Sequence, residues 1–387
     1  MHRIQSSFAI ALLASVALFF TTNVQAQSGT DAFTAQFNAV CAGAGPGSAL
    51  AARCAVVQAS ADPNARALAA NFNDLEEIPG AGRMSARDTA PDVTSRNQVP
   101  SQLTPKLALF ASIDGSRVHR QLDRIEAAFD ADALTLTLGL DWHPTDAWQL
   151  GLALNHAREQ QNFRDSNGAL DAHYTGLIAL ASWNANEHIA LNGYAGRLQG
   201  GQDLRRVIHF IDGSPSVAAT ASPNAARTLA GIALDANFAH GAWEWRGAVG
   251  FDALRTSTEA YIEHGGSGFD LSVPGRSTDT RRGRIDGALA GTFSRSWGVW
   301  QPEFRLGWRH EFSNAARTVG VRFVDDSNAT VVRFDTGAPD RDWLQAGIST
   351  VFTFTHGQSA FIALDREFGH SSSTATMLGI GWRIELK

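Results

Sequence analysis

Residues 297–312 read WGVWQPEFRLGWRHEF. Every second residue (Trp300, Pro302, Phe304, Leu306, Trp308) is aromatic or apolar, and the row between is Gln301, Glu303, Arg305, Gly307, Arg309 and Glu311. A period of two belongs to a strand whose two faces meet different surroundings. A dry core would tolerate the second row poorly, because each ionised group there must shed its water. About ten residues of such alternation is the length a tilted strand needs to cross a bilayer. The stretch predicts a transmembrane β-strand with lipid on one face and a wet lumen on the other. Glu303, Arg305, Arg309 and Glu311 are expected on the lumen wall, ion-paired.

The same alternation recurs from Pro105 onward, and twelve strands are read. They are 106–113, 133–142, 147–158, 173–183, 188–198, 228–238, 242–254, 284–294, 297–312, 342–355, 358–368 and 374–386. The cleanest row is Leu134, Leu136, Leu138, Leu140 and Trp142; in 173–183 and 188–198 both registers carry small and large apolar residues, so their faces are left open. The links HPTD, NANE, AHG, RS and HG are tight, whereas 114–132, 159–172, 199–227, 255–283 and 313–341 are long and polar. Short and long links alternate, as in an up-and-down outer-membrane barrel with tight periplasmic turns and extended extracellular loops. Within the last long loop, Thr318–Phe323 and Thr330–Phe334 flank DDSNA and predict an extra hairpin. The fold class is therefore an all-β, twelve-stranded antiparallel transmembrane barrel over residues 105–387. Trp142, Trp148, Trp183, Trp243, Trp245, Trp297 and Trp300 lie beside the short turns, where an interfacial aromatic belt belongs. A soluble β-barrel or sandwich is the competing reading, but a twelve-stranded lumen is too wide for side chains to fill, and the tryptophans and the signal-peptide pattern point to the membrane.

The bulk numbers fit this reading. A net charge of −6 over 387 residues suggests no nucleic-acid partner. A mean hydropathy of −0.14 argues against helical spans, and barrels escape hydropathy because half of each strand is polar. Met1-His2-Arg3, the apolar run Phe8–Phe20 and Val24-Gln25-Ala26 resemble a secretory signal peptide over residues 1–26, which implies export. Residues 27–104 form a different segment, short and partly helical, with helix-like stretches at Ala32–Val40, Ser48–Gln58 and Asn64–Glu77. Its Cys41 and Cys54 are the two cysteines of the chain, flanking a loop with Gly and Pro. In an oxidising compartment this spacing predicts a disulfide, stabilising a helical hairpin by about 3 kcal/mol on the loop-entropy model.

The run WGVWQPEFRLGWRHEF, followed by NAARTVGVRFVDD, DTGAPDRDWLQAGISTVF and GQSAFIALD, resembles the β-barrel translocator domain of autotransporters. KLALFASIDGSR and LTLGLDWHPTDAWQLGLALNHAR resemble the start of the same domain. The resemblance implies a twelve-stranded pore through which, or beside which, an N-terminal passenger reaches the cell surface, and a barrel whose last strand is read by the outer-membrane assembly machinery. Residues 27–104 carry neither the repeats of a β-helical passenger nor a Gly-x-Ser-x-Gly nucleophile motif.

No catalytic constellation is found. The twelve histidines are scattered, none with metal-site spacing to carboxylates. No enzyme activity, cofactor or metal is expected, and the barrel is read as monomeric in the outer membrane. The function expected is translocation and display of the short N-terminal segment, with Asn64–Glu77 a candidate plug through Ala65, Leu68, Ala69, Phe72 and Leu75. The alternatives are a passive channel of porin type and an adhesive protein acting through its long loops.

Overall fold

The computed structural model describes residues 28–59 and 107–386, apart from 122–127, 165–167, 211–214, 314, 316–317, 336–337 and 356. The expected signal peptide (1–26) and the expected helix at 64–77 lie outside the described residues. Two helices come first, α1 (Ser28–Gly43) and α2 (Ala49–Ala59). Strands follow as β1 (Leu107–Arg120), β2 (Phe129–Thr145), β3 (Trp148–Phe163), β4 (Gly168–Asn184), β5 (Ile189–Ile208), β6 (Val217–Ala221), β7 (Asn224–His240), β8 (Trp243–Thr258) and β9 (Tyr261–Ile262). The rest are β10 (Leu271–Val273), β11 (Arg276–Gly291), β12 (Phe293–Arg295), β13 (Gly298–Glu311), β14 (Thr318–Phe323), β15 (Val332–Asp335), β16 (Asp342–Phe354), β17 (Gln358–Phe368) and β18 (Ser373–Leu386).

Twelve of these strands close a barrel: β1 to β5, β7, β8, β11, β13 and β16 to β18. Each pairs antiparallel with the next along the chain, and β18 returns to β1 from Leu107↔Leu386 to Arg120↔Ser373. The wall is continuous, including the β11–β13 contact from Arg282↔Glu311 to Ala290↔Glu303. Closure gives every strand two partners, so no row of backbone donors and acceptors is left at an edge.

The strands agree in number and order with those read from the sequence, and the short turns fall where expected. The strands are longer, however, at the opposite end. β1 continues to Arg120 rather than ending at Ile113, and β5 to Ile208 rather than Leu198. The long links are correspondingly shorter than the sequence suggested. The reason is physical: beyond the apolar band both faces are polar, so the period-two signal disappears while the hydrogen-bond ladder goes on.

The expected hairpin in the 313–341 loop is present, with Thr318↔Asp335 to Val321↔Val332 in register. It does not stand alone. β15, β14, β10 and β9 form a four-stranded sheet built from two different loops at the long-loop end. On this sheet sits the α1–α2 hairpin. Its turn ends at Ser48, whose Oγ accepts from the Ala51 amide at 3.1 Å and caps α2. Cys41 and Cys54 are joined by a disulfide with Cα atoms 5.5 Å apart. Phe37, Val40, Leu50 and Cys54 share one buried cluster with Ile208, Ala219, Phe269, Leu271, Val273, Val321, Phe323, Val332 and Phe334.

Candidate functional site: barrel interior and rim

The rows of β13 separate as their chemistry requires. Phe304 and Leu306 point outward and are half exposed, while Arg309 and Glu311 point inward and are buried. The inward row joins a network of charges spread over neighbouring strands. Glu303 accepts from Arg246 at 2.8 Å, and Arg246 also reaches Glu244 at 2.7 Å. Arg305 lies 3.6 Å from Glu303 and 2.8 Å from Asp365. Arg309 pairs with Asp286 at 2.7 Å and donates to Gln345 at 2.8 Å. Arg284 stands 3.3 Å from both Asp252 and Asp286. Glu311 takes a different role at the rim, accepting the amides of Arg281 and Ser313 at 2.9 Å each. From β8 to β17 the inner wall is thus ionic. A cleft at the short-turn end opens onto this wall, lined by Asp235, Glu244, Arg246, Asp286, Glu303 and Arg305 among others.

The facing wall is different, and sequence reading missed it. Phe110, Tyr174, Ile178, Leu180, Leu198, Leu229 and Leu254 turn inward and form one buried cluster, with Tyr194 packed against it. The barrel interior is therefore uneven: an apolar patch centred on β4, β5, β7 and β8 lies among buried polar residues such as Thr137, Asp141, Gln149 and Asn155 on β2 and β3, and an ionic network runs along β8 to β17. The available signal was the doubled apolar register of 173–183 and 188–198, which reports strands apolar on both faces. Two aromatic rings on this wall lie over glycines. A Cβ on Gly139 would stand 2.1 Å from the Phe110 ring, and one on Gly231 2.4 Å from the Tyr194 ring. The flat contact keeps each ring against the wall, and Tyr194 donates to Asp252 at 2.7 Å.

Where the apolar patch nears the long-loop end, Arg227 and Glu159 form a buried ion pair. Arg227 is 1% exposed, makes a two-pronged contact with Glu159, and lies 3.9 Å from the centre of the Tyr174 ring. Tyr174 accepts from Gln202 at 2.9 Å, and Gln202 accepts from Thr258 at 3.3 Å. Buried charges persist only when paired and hydrogen-bonded in this way.

The tryptophans singled out by sequence all face outward at the short-turn end. Trp142 pairs with Leu150, and Trp148 packs on Trp183 with ring centres 6.3 Å apart. Trp243 meets Phe293 at 6.4 Å, and Phe293 meets Trp300 at 5.5 Å. Trp297 touches Phe354 at 5.7 Å, and Phe354 stacks on Trp382 at 5.6 Å. Trp245 stands opposite Phe238 across β7 and β8. Phe238, Phe293, Phe354 and Trp382 complete a girdle that the sequence only began to outline.

At the other end, loops are tied to the rim by polar clusters. His370 has Asp340 at 3.1 Å from Nδ1 and Glu367 at 3.2 Å from Nε2. Trp343 donates to the same Glu367 at 3.2 Å. Ser371 donates to Asp340 from its hydroxyl at 2.8 Å and from its amide at 3.1 Å. The Asp340 carboxyl is held well below the usual carboxylate range, chiefly by the His370 hydrogen bond; burial opposes this, and the two Ser371 bonds and the His370 charge add to it. His310 faces Asp342 at 2.8 Å and packs against Trp308 and Phe312. Among the described residues no group of three or more His, Cys, Asp or Glu could hold a metal ion.

A closed twelve-stranded barrel with an apolar exterior, an aromatic girdle and a partly ionic interior is a transmembrane β-barrel. The family model for the autotransporter beta-domain matches residues 109–365, and the chain belongs to that family. Among solved structures, it resembles the translocator domain of the autotransporter NalP from Neisseria meningitidis at 14% identity and a TM-score of 0.59, covering 74% of this chain and 90% of that one. It is also similar to the beta domain of the Bordetella autotransporter BrkA, at 15% identity and a TM-score of 0.55, covering 73% and 100%. The transport unit of the autotransporter AIDA-I from Escherichia coli aligns at 14% identity and 0.53, covering 78% and 95%. At such identities the likeness speaks to the fold. No curated protein matches the chain in sequence.

Proposed function

We propose that this protein is an outer-membrane translocator of the autotransporter kind that carries and presents its own short N-terminal segment. One observation carries the reading. The α1–α2 hairpin is docked at the long-loop end, whereas β1 begins with Leu107 paired to Trp142 and Leu386 at the short-turn end. The chain must therefore get from one end of the barrel to the other. The wall offers no gap, and a path through lipid would leave backbone polar groups unsatisfied. In this reading the connection runs through the lumen. At about 1.5 Å per residue even a fully helical path of the 47 residues from 60 to 106 reaches about 70 Å, ample for a bilayer.

The uneven interior supports the finer reading that this stretch plugs the pore. An apolar patch opposite an ionic wall complements an amphipathic helix, and the sequence 64–77 offers Leu68, Phe72 and Leu75 as apolar residues and Arg66, Asp74 and Glu77 among its polar ones. In this reading the signal peptide brings the chain to the periplasm, the assembly machinery inserts the barrel, and the girdle tryptophans sit at the inner membrane–water boundary as a monomer's anchor. No catalytic role is assigned.

The test is surface exposure. An epitope placed near Gly29 should be reached by antibody on intact cells; labelling only after permeabilisation overturns display. Conductance then separates translocator from passive channel, the reading that the ionic wall and its open cleft favour. In planar bilayers the full chain should be nearly closed and a variant lacking residues 60–80 should conduct. Equal conductance of the two removes the plug.

A further inference from the structure

We propose that the four-stranded loop sheet is a receptor for the chain's own disulfide-bonded hairpin, which stays bound as a non-covalent cap even when the chain behind it is cut. The proposal rests on the docking; only its sidedness depends on the display reading above.

Neither partner makes sense alone. The hairpin has two helices of 16 and 11 residues, marginal in water without tertiary packing. Its apolar side chains are completed by the loops: Phe37 meets Phe269 and Phe323, each with ring centres 6.3 Å apart. Conversely, the sheet strands are two to six residues long, and without the hairpin Phe269, Leu271, Val321, Phe323, Val332 and Phe334 would form an exposed apolar patch. These residues lie on loops that a barrel needs only as polar connections.

The contact is also specific at the backbone. Ala44 and Asp326 form an antiparallel bridge, and the Gly43 carbonyl accepts from both the amide and the hydroxyl of Ser327, at 2.9 and 2.7 Å. The Arg333 amide donates to Gln36 at 2.6 Å. Arg53 donates to Ser267 at 3.4 Å and lies over the Phe210 ring at 3.7 Å. Gly268, with φ of +96°, lets α2 approach so closely that a Cβ there would stand 2.5 Å from the Leu50 nitrogen. The disulfide holds α1 and α2 as one rigid block, so both helices engage or neither does.

The experiment inserts a protease site between Ser60 and Ala61 of the full chain. Cleavage on intact cells reports sidedness: failure to cut there, with cutting after permeabilisation, overturns display but leaves the docking testable on purified protein. After cleavage and without reductant, at least nine-tenths of the hairpin fragment should sediment with membranes. Gly268→Val, which adds bulk at the contact and strains the loop backbone at a φ of +96°, should release most of it while the barrel keeps its heat-dependent gel shift. Phe37→Asp serves as the second disrupting variant should Gly268→Val not assemble. Release of the fragment from the wild-type sheet overturns the proposal, and so does equal retention by wild type and both variants.

Discussion

The ion pair between Arg227 and Glu159 shows how far a side chain's neighbours decide its cost. Removing one partner strands a buried charge, a loss of about 3–5 kcal/mol, whereas replacing both by apolar residues is often neutral. Glu159→Leu should therefore lower the urea midpoint of the lipid-reconstituted barrel sharply, and Glu159→Leu with Arg227→Met should recover most of it. If the double variant is no better than the single, the charge is not what destabilises. The Tyr194 ring over Gly231 carries a second prediction at this scale. Gly231→Val must displace the ring and its bond to Asp252, an overpacking cost of about 1–3 kcal/mol, read in the same urea titration. Asp340 links the rim to pH. Its folded pKa is depressed, so its contribution is complete above the unfolded value of about 3.9 and is lost only as pH falls through the lower folded value. Asp340→Asn should thus be less stable than wild type at pH 5–7, with the gap narrowing in strong acid; coincident melting at pH 7 would show the cluster to be idle. None of these contacts was legible in the sequence. Glu159 and Arg227 are 68 positions apart, and only the ladder of strands between them says that they meet.

Strands, by contrast, could be read because each must satisfy two solvents within one pleat. In β2, Leu134 to Trp142 alternates without a fault, and eight steps at about 3.4 Å give about 27 Å along a tilted strand. The outward row tolerates charge according to depth. Leu138→Arg, in mid-row, should cost about 2–4 kcal/mol, and Trp142→Arg, in the girdle, about 0–1 kcal/mol, measured by unfolding from vesicles. Equal penalties would mean that the row does not run through the membrane. What the alternation could not reveal is where a strand goes once lipid no longer demands an apolar face, hence the added turns of ladder in β1 and β5. It also fell silent where both faces are apolar. β4 carries Leu177 and Trp183 outward but Tyr174, Ile178 and Leu180 inward, and a pattern that depends on contrast says nothing there. The β14–β15 hairpin was visible from its two short apolar runs. Its union with β10 was not, since nothing local to either loop announces the other.

At the scale of the whole molecule, every long strand among the described residues contributes to one ring, and a ring resists detergent until heat opens all its ladders together. Unheated and boiled protein should migrate differently on a gel, and a single position for both would contradict a closed barrel in the membrane. The two ends of that ring are unequal. One is finished by tight turns and tryptophans, the other by a small mixed core of helices and short strands in which α1, α2 and distant loops share Phe37, Phe269 and Phe323. That arrangement has a mechanical consequence along the proposed route through the lumen. On that route the chain would pass its own leading end through the hoop that its remaining length forms, with the cross-linked hairpin as a knob on the far side. Tension on the inner side would then press the knob harder onto its seat, and withdrawal would require the knob to unfold or the hoop to be cut.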